Sequence, residues 1–429
     1  MKLYEKEILI PLKKDHENLL EYFSNCLSHN LDGEIPIRFV VTEADNKNYH
    51  CELGILSETD KFNSSIFEFK KRPYENTEKF NVVLIIPTGI NAELGGHAGD
   101  AGALSRLIAS TCDTLITHPN VVNASDINEL TENTLYVEGS ILSRLMMGTI
   151  GLQKVRSNRL EVILNDHEDN YFTEQAINSV SAARATLGID AEVTILKNRF
   201  KMKSKYSSSG RATGTVENLE PLFNILSKKN NYDAIALSSV IELDPKIRNE
   251  YFSSNIVNPW GGIEAILTHA ISYLLDIPTA HSPIEESREM DNLNYGVVDP
   301  RKAAEVVSTT NLHCILKGLH KSPKIITNQN LINQSNISAK DINCLIIPDK
   351  CIGLPTLAAL QQRIPVIAVK ENKNLMKNNL EDLPWSKDQL ICVENYQEAV
   401  GAIYALKSGT SIESVRRPLQ YTKFLNSNI

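Results

Sequence analysis

Residues 81–129 read NVVLIIPTGINAELGGHAGDAGALSRLIASTCDTLITHPNVVNASDINE, and this stretch decides the fold. The apolar run at 82–86 is typical of a buried parallel strand. A glycine-rich turn at 89–102 follows it, and an amphipathic helix begins at Ala103. A second strand at 114–117 then ends in a polar loop. This order predicts a parallel α/β sheet, in which loops at the carboxyl ends of the strands bind ligands.

The same alternation continues towards the C-terminus. The segment 160–196 reads as strand, helix and strand, and its helix ends at Gly188. Further helices are predicted from Asn258 and over 299–319, and the segment 343–372 again reads as strand, loop, helix and strand. We therefore predict an α/β protein with mostly parallel, Rossmann-like sheets, folded as two lobes around a cleft.

The first 78 residues follow a different pattern. Strands are predicted at 5–12, 37–44 and 49–56, with one helix at 19–28 between the first two. We predict a small α+β unit over 1–78 and an α/β core over 79–429 that carries the site. The expected role of the small unit is packing, a lid or a subunit contact.

Composition excludes several classes of partner. The 429 residues carry a net charge of −8 and no long basic block, which argues against nucleic acid and anionic membranes as partners. No apolar stretch has the length of a membrane span, and the N-terminus lacks a signal-peptide core. Seven scattered cysteines fit reduced thiols. We expect a cytoplasmic protein.

Three residues at two strand ends are the predicted catalytic set. His97 and Asp100 lie in the glycine-rich turn, and His118 follows the second strand directly. Since a right-handed crossover brings both loops to one edge of the sheet, we expect His97 and His118 to share a pocket. Histidine suits acid–base catalysis because its pKa lies near neutrality. The alternative is a tight turn and a histidine bonded to the backbone.

Other polar, glycine and aromatic positions are expected to bind the substrate. Backbone N–H groups of the glycine turn suit an anion, and a tryptophan at a helix start suits the wall of a pocket. One candidate lies in a basic segment, 201–214, which is predicted either as a lid over an anion or as a solvated connection. The predicted substrate-binding residues are Thr88, Gly95, Gly96, Gly99, Asn120, Asn123, Ser125, Arg211, Trp260 and His281.

For four further residues the sequence permits either a role in the site or a purely structural position. Glu138 follows a strand as His118 does, and Glu264 lies beside the apolar stripe of a helix where it could face the cleft. His269 lies off that stripe and is predicted to be at the surface. Cys351 lies between a strand and a helix, where a thiol can become a nucleophile. The His, Asp and Glu set has divalent-metal chemistry but no recognisable spacing, so we predict no cofactor and leave a divalent metal open.

Several segments resemble a known family. They are IPTG at 86–89, GGHAGDAG at 95–102, THPNVVNASDINE at 117–129, LYVEGS at 135–140, HSPIEE at 281–286, VVDPRKAAEVVST at 297–309, LKGLHKSPKI at 316–325 and GLPTLAALQQRIPVIAVKEN at 353–372. The chain resembles the domain of unknown function 3326 family, which is found mainly in cyanobacteria. The resemblance implies one functional unit over 81–372 and assigns no residue a role.

These observations favour an enzyme that acts on a small polar anion. We expect His/Asp acid–base chemistry of the lyase or isomerase type, because no redox or nucleotide fingerprint is present. One alternative is a metal-assisted hydrolase that uses the same His, Asp and Glu residues. The other is a non-catalytic protein that binds a small ligand or serves in assembly. A homo-oligomer is left open.

Overall fold

Two large β-sheets organise the chain. The computed structural model describes residues 1–13, 18–28, 31, 33–57, 65–128, 130–291, 295–307, 310–422 and 424. The strands are β1 (Lys2–Pro11), β2 (Ile35–Ala44), β3 (Asn48–Ser57), β4 (Asn81–Leu84), β5 (Thr114–Thr117), β6 (Asn123–Ala124), β7 (Ile127–Asn128), β8 (Thr134–Tyr136), β9 (Gly151–Gln153), β10 (Arg159–Asn165), β11 (Asp190–Leu196), β12 (Lys201–Tyr206), β13 (Ala212–Glu217), β14 (Ala234–Glu242), β15 (Thr279–Ile284), β16 (Lys324–Ile326), β17 (Cys344–Pro348), β18 (Ile352–Gly353), β19 (Val366–Val369) and β20 (Leu390–Val393).

Helices connect these strands and cover the sheets. They are α1 (Leu19–Ser28), α2 (Gly102–Ala109), α3 (Pro119–Val122), α4 (Gly139–Met146), α5 (Asn170–Leu187), α6 (Glu220–Lys228), α7 (Pro245–Ser253), α8 (Gly261–Leu275), α9 (Arg288–Asp291), α10 (Leu312–His320), α11 (Leu354–Gln362), α12 (Tyr396–Ser408) and α13 (Ile412–Val415). The mixed α/β class predicted from the sequence is confirmed.

The six-stranded sheet is parallel throughout. From one edge to the other its order is β8-β5-β4-β17-β19-β20, so its strands, counted along the chain, lie in the order 3-2-1-4-5-6 of doubly wound folds. The four residues of β4 are all buried, as expected for a strand covered on both faces. The strand order reverses between β4 and β17. In such sheets the crevice for a ligand opens at this reversal.

The ten-stranded sheet is mixed, which corrects the expectation of mostly parallel sheets. Strands β11, β10, β14 and β15 are parallel neighbours, and α5 supplies the predicted crossover before β11. The remaining strands run β12-β13-β1-β3-β2-β18 and pair antiparallel. Strand β14 joins the two halves, because its far end pairs with β12.

The N-terminal strands belong to this mixed sheet. Strand β1 pairs with β13, and β2 pairs with β18, so the sheet crosses the boundary that we predicted at residue 78. Helix α1 covers one face, where the ring of Phe23 lies 5.0 Å from that of Phe39. The linker after this region is anchored, since Arg72 donates to three backbone carbonyls at 342–363. A separate folding unit over 1–78 stays a prediction.

Two other segments differ from the sequence-based expectation. The basic segment at 201–214 lies mostly in β12 and β13, a hairpin in the middle of the large sheet, so it cannot close as a lid without breaking that sheet. The helix predicted over 299–319 is shorter. Among the described residues, a 3₁₀ turn at Ala303–Val306 precedes α10, and Asn311 with a φ of 46° separates them.

Helix α8 lies between the two halves of the molecule. It contacts β13, β15 and β2 of the mixed sheet and also α4, which follows the parallel sheet. Its polar Thr268 and Ser272 are buried together with its apolar stripe. A helix buried on both faces turns its polar side towards the interior rather than towards solvent. This placement determines the site.

Candidate functional site

A cavity of about 260 Å³ lies between the two sheets. One wall follows the carboxyl ends of β4, β5 and β17, with Thr88, His118 and Ile347 among its residues. The other wall comes from β2, α8 and β15. The cavity therefore opens at the reversal of strand order in the parallel sheet, which is where such sheets bind ligands.

A carboxylate and a histidine form a close pair in this cavity. Oε1 of Glu138 lies 2.6 Å from Nδ1 of His269, whose side chain is 15% exposed. The histidine ring lies close to the chain at Gly139, where an added Cβ would lie 2.6 Å from Cε1 and 3.1 Å from Nε2 of the ring. A larger residue at 139 would therefore displace the ring. The approach is an ion pair rather than a hydrogen bond, since its angle leaves Nδ1 without a hydrogen-bond partner among the described residues. With Nδ1 on the side of the carboxylate, Nε2 is the ring nitrogen left for a ligand.

Glu138 is held by the first turn of α4. Its Oε2 accepts hydrogen bonds from the backbone N–H of Ser140 at 2.8 Å and of Ile141 at 3.4 Å, and from the Ser140 hydroxyl. Burial by itself would raise the pKa of Glu138, but the nearby His269 and the hydrogen bonds from Ser140 outweigh it and lower the pKa. The side chain is thus an ionised, oriented partner for His269.

His118 enters the same cavity as a neutral ring. Burial lowers the pKa of His118 to about 4. Its Nε2 accepts a hydrogen bond from the backbone N–H of Ile86 at 3.1 Å, so in the neutral ring the proton resides on Nδ1. The ring can therefore donate a hydrogen bond to a ligand. It has no free lone pair with which to act as a base.

Arg38 brings a positive charge to the wall of the cavity. It lies on β2 opposite Gly54, and Glu5 on β1 faces the same glycine from the other side. The missing side chain at 54 lets Nη1 of Arg38 approach Oε1 of Glu5 to 3.5 Å. Neither of these two atoms has a hydrogen-bond partner within the described part of the chain. The side chain of Arg38 is 12% exposed and lines the cavity, and its Nη1 is a donor without a hydrogen-bond partner among the residues that the structure describes.

A second histidine is fully engaged at the cavity wall. Nδ1 of His281 lies 2.8 Å from Oε1 of Glu264, and its Nε2 lies 2.8 Å from the hydroxyl of Ser239. This is the connectivity of a serine hydrolase triad. However, Ser239 is 0% exposed on β14 and does not line the cavity.

The structure separates the predicted site residues into two groups. Thr88, His118, Asn120, Asn123 and His281 line the cavity. Two of these also have structural hydrogen bonds: Asn120 donates to the carbonyls of residues 86 and 95, and Asn123 donates to a tyrosine hydroxyl. The residues that do not line it are His97, Asp100, Gly95, Gly96, Gly99, Ser125, Arg211 and Trp260.

His97 lies in a polar network behind the cavity and not in the pocket of His118. The ring is 1% exposed, and Nδ1 lies 2.9 Å from the hydroxyl of Tyr251. That hydroxyl donates to Glu305 at 2.7 Å, and the backbone N–H of Ala98 donates to the same carboxylate oxygen. Helix α7, which carries Tyr251, thus covers the glycine-rich turn. Burial lowers the pKa of His97 to about 4 and raises the pKa of Glu305 to about 7.

The glycines of the predicted anion cradle serve close packing. A Cβ at Gly96 would lie 2.1 Å from the backbone oxygen of Ala92, and one at Gly99 would lie 2.1 Å from the Cβ of Ala124. Gly95 has a φ of 82°, which a glycine adopts without strain. Carboxylates of the chain itself already accept from two N–H groups of this turn, since Gly95 donates to Asp100 and Ala98 donates to Glu305.

Four cavity residues were missed or undervalued by the sequence analysis. Arg38 alternates with apolar residues on β2 and reads as a solvent-facing position. Thr268 and His269 lie off the apolar stripe of α8, and the position of Glu138 directly after a strand left its role open. One signal was available: Gly261, Ala265 and Thr268 form a second stripe of small residues at helical spacing, and they line the cavity.

The buried Asp100 leads to a prediction about pH. Burial raises the pKa of Asp100 to about 7, although the N–H of Gly95 opposes this by donating to its Oδ1 at 2.9 Å. A carboxyl with a raised pKa stabilises the fold below its unfolded pKa, near 4, and loses that contribution as pH rises to 7. Asparagine mimics the neutral acid. We expect Asp100→Asn to gain about 1–3 kcal/mol relative to wild type between pH 4 and pH 8, measured by urea unfolding.

The exposed Asp388→Asn variant is the control for this measurement. Asp388 has a φ of 60°, which asparagine tolerates, and its difference from wild type should stay constant with pH. A pH-independent difference for Asp100→Asn would contradict the buried, proton-binding carboxyl.

Within the described residues, no three His, Cys, Asp or Glu side chains are grouped so that they could hold a metal ion. No helix in the described part of the chain is long and apolar enough to cross a bilayer.

The fold and the cavity define an α/β protein with ionisable groups at the switch point of a parallel sheet. The family described as Protein of unknown function (DUF3326) matches residues 81–416, and the chain belongs to this family. The resemblance seen in the sequence is thereby confirmed and extends beyond residue 372. The chain is also 31% identical over 353 residues to a protein named "Uncharacterized lipoprotein" from Synechococcus sp., which covers 81% of this chain and 96% of the relative. No solved structure matches.

Proposed function

We propose that the protein is an enzyme that converts a small organic anion by acid–base chemistry of the lyase or isomerase type. The observation that carries the proposal is the 2.6 Å pair of Glu138 and His269 in a cavity that also holds Arg38. A histidine oriented by a buried carboxylate is a common general base, and a cation near it suits an anionic substrate.

Each group has a distinct role in this proposal. His269 removes a proton from the substrate through Nε2, and Glu138 stabilises the imidazolium that forms. His118 donates its Nδ1 proton in a hydrogen bond to a carbonyl oxygen, where negative charge develops. Arg38 binds a carboxylate or another anionic group of the substrate. His97 and Asp100 then support the glycine-rich turn from behind.

The two sheets would act as the two lobes of a cleft. Support comes from the cavity walls, since one wall follows the strand ends of the parallel sheet and the other follows β2 and β15 of the mixed sheet. Helix α8 bridges them through its contacts with both parts. On this proposal a substrate binds between the lobes and becomes shielded from water.

Deuterium exchange tests the proposal directly. The protein is incubated in D₂O with a panel of organic acids, and proton NMR records loss of the signal at carbon atoms next to the carboxylate or carbonyl. Exchange of one acid above the rate without protein supports proton abstraction. Mass spectrometry of ligands released by denaturation selects the acids to include. A ligand that binds without any exchange or turnover would indicate the alternative, a non-catalytic binding or assembly protein.

The metal-assisted hydrolase remains the other alternative. Prolonged dialysis against a chelator followed by metal analysis separates the two enzymes. Unchanged exchange activity in metal-free protein supports the acid–base proposal. Loss of activity with recovery on adding a divalent cation would favour the hydrolase.

Ser239 gives a prediction that distinguishes a triad from a structural network. We expect Ser239→Ala to retain turnover within about threefold, since the hydroxyl has no access to the cavity, and removal of a true nucleophile would cost on the order of 10⁴-fold or more. A fluorophosphonate probe should leave the protein unlabelled. Labelling at Ser239 together with loss of turnover would show a serine hydrolase.

The cellular location is a separate proposal. The cytoplasm is our expectation from the sequence, and the name of the Synechococcus relative raises lipid anchoring as a competing idea for this chain. Fractionation of cells that express the natural gene, followed by immunoblotting, decides between them. Protein in the membrane fraction that detergent releases would refute the cytoplasmic expectation.

A further inference from the structure

The walls of the cavity are largely apolar away from its charged end. Residues from several elements contribute: Ile85 after β4, Leu142 on α4, Ala265 on α8, Ile347 on β17 and Met376 after β19. Such walls gain free energy by covering hydrocarbon. Hydroxyl and amide side chains such as Thr88, Asn258 and Thr356 also line the cavity, but they are the smaller part of its surface. A buried polar group that meets the apolar part has no partner, which is costly.

The charged side chains at and behind the cavity differ in how many hydrogen bonds and ion pairs they already form within the chain. Oε2 of Glu138 accepts three hydrogen bonds from residues 140 and 141, and its Oε1 contacts His269. Behind the cavity, Glu5 and Glu52 both pair with Arg211. Arg38 is the exception, because its described contacts comprise one 3.5 Å approach to Glu5 and no hydrogen bond. A planar guanidinium with unused donors recognises a carboxylate in two parallel hydrogen bonds.

We propose that the ligand of this cavity is an amphipathic monoanion, a carboxylic acid whose body is an aliphatic or aromatic hydrocarbon. Its carboxylate lies at Arg38, and its body lies against the apolar walls. This inference deepens the proposed function and rests on it for catalysis, whereas the binding it describes holds for an enzyme and for a binding protein. Short dicarboxylates and sugar phosphates should bind more weakly than these acids, since most of the cavity surface is apolar and covers hydrocarbon better than a second polar group.

Calorimetry with a homologous series tests the proposal. The probes are the linear carboxylates from butanoate to decanoate and the primary alcohols of equal length. We expect each added methylene to tighten binding about three- to fourfold until the cavity is full. Each alcohol should bind at least tenfold more weakly than the acid of its length. Succinate or glycerol phosphate binding more tightly than hexanoate would overturn the proposal, and so would a series without any dependence on length.

Two variants test where the carboxylate and the hydrocarbon body of the ligand bind. Arg38→Gln should remove the difference between acid and alcohol while the dependence on chain length persists. Ala265→Phe fills part of the apolar wall and should shorten the tightest-binding acid by two or more carbons. Ala182→Phe, at an exposed position of α5, is the matched control and should leave the series unchanged. An unchanged preference in both cavity variants would place the ligand elsewhere.

The outcomes separate this inference from the proposed function. Length-dependent binding of acids without deuterium exchange would support the amphipathic ligand and refute the enzyme. Exchange of a short dicarboxylate, with no binding of the longer acids, would support the enzyme and refute the amphipathic ligand.

Discussion

His269→Asn should lower kcat by about 10²- to 10⁴-fold, the usual contribution of a general base. The reason is the geometry of the pair, in which Nδ1 of His269 lies 2.6 Å from Glu138 and Nε2 is left for the substrate. Asparagine can still donate a hydrogen bond to Glu138, so the buried carboxylate keeps a partner and the thermal midpoint should change little. The measurement is the exchange rate of whichever acid the NMR panel identifies, at saturating concentration.

Two further variants test whether the loss of kcat is specific to the pair of His269 and Glu138. His50→Asn changes a histidine on β3 with a 40% exposed side chain and should leave kcat as in wild type. Glu138→Gln preserves an acceptor for the N–H groups of α4 but removes the charge that stabilises the imidazolium, so it should also lower kcat. Wild-type kcat in His269→Asn would rule out His269 as the base, and a loss of folding in that variant would show a structural residue.

Arg211→Met should cost about 3–5 kcal/mol of unfolding free energy, the usual effect of removing one partner of a buried ion pair. Arg211 is 0% exposed, and its Nε donates to Glu52 at 2.7 Å while Nη2 contacts Glu5 and Glu52. Without the guanidinium, Glu52 loses its ion-pair partner and Glu5 keeps only the 3.5 Å approach of Arg38. Urea unfolding followed by circular dichroism measures the loss.

Lys205→Met is the matched control for this experiment. Lys205 is an exposed residue of the same hairpin, and its loss should change the unfolding free energy by less than about 0.5 kcal/mol. The prediction also distinguishes structure from binding. If Arg211→Met stays stable and loses affinity for anions, the residue is the substrate ligand that the sequence suggested.

Much of the fold follows from local pattern. The strand at 114–117 forms as predicted, and the strand and helix before it form within two residues of the predicted bounds, at Asn81–Leu84 and from Gly102. A buried strand needs a continuous apolar run, and a helix needs its apolar residues on one face. The helix before Gly188 also ends where predicted, with that glycine in the left-handed conformation. The hairpin of β12 and β13 was missed because its sequence is basic and rich in serine and glycine, and its pairing with β14 and β1 was missed because those strands lie far away in the chain.

The sequence by itself determined which residues share a face and which loops follow strands. It thus brought His118, Thr88 and Asn123 to the site, because these follow strands of one parallel sheet. Only the tertiary structure decided what covers each face. The periodicity of the sequence shows only that Arg38 and His269 lie off the apolar face of their own strand or helix. From sequence alone, such a polar face is interpreted as exposed to solvent.

Tertiary packing covers these polar faces and removes them from bulk solvent. The parallel sheet and α4 close over α8 and β2, so the polar face of α8 becomes a cavity wall with His269 beside Glu138. The same packing buries Arg211 against two carboxylates and turns His97 towards Tyr251. These contacts join residues 131 to 206 positions apart, and their energy depends on burial, which no local pattern encodes.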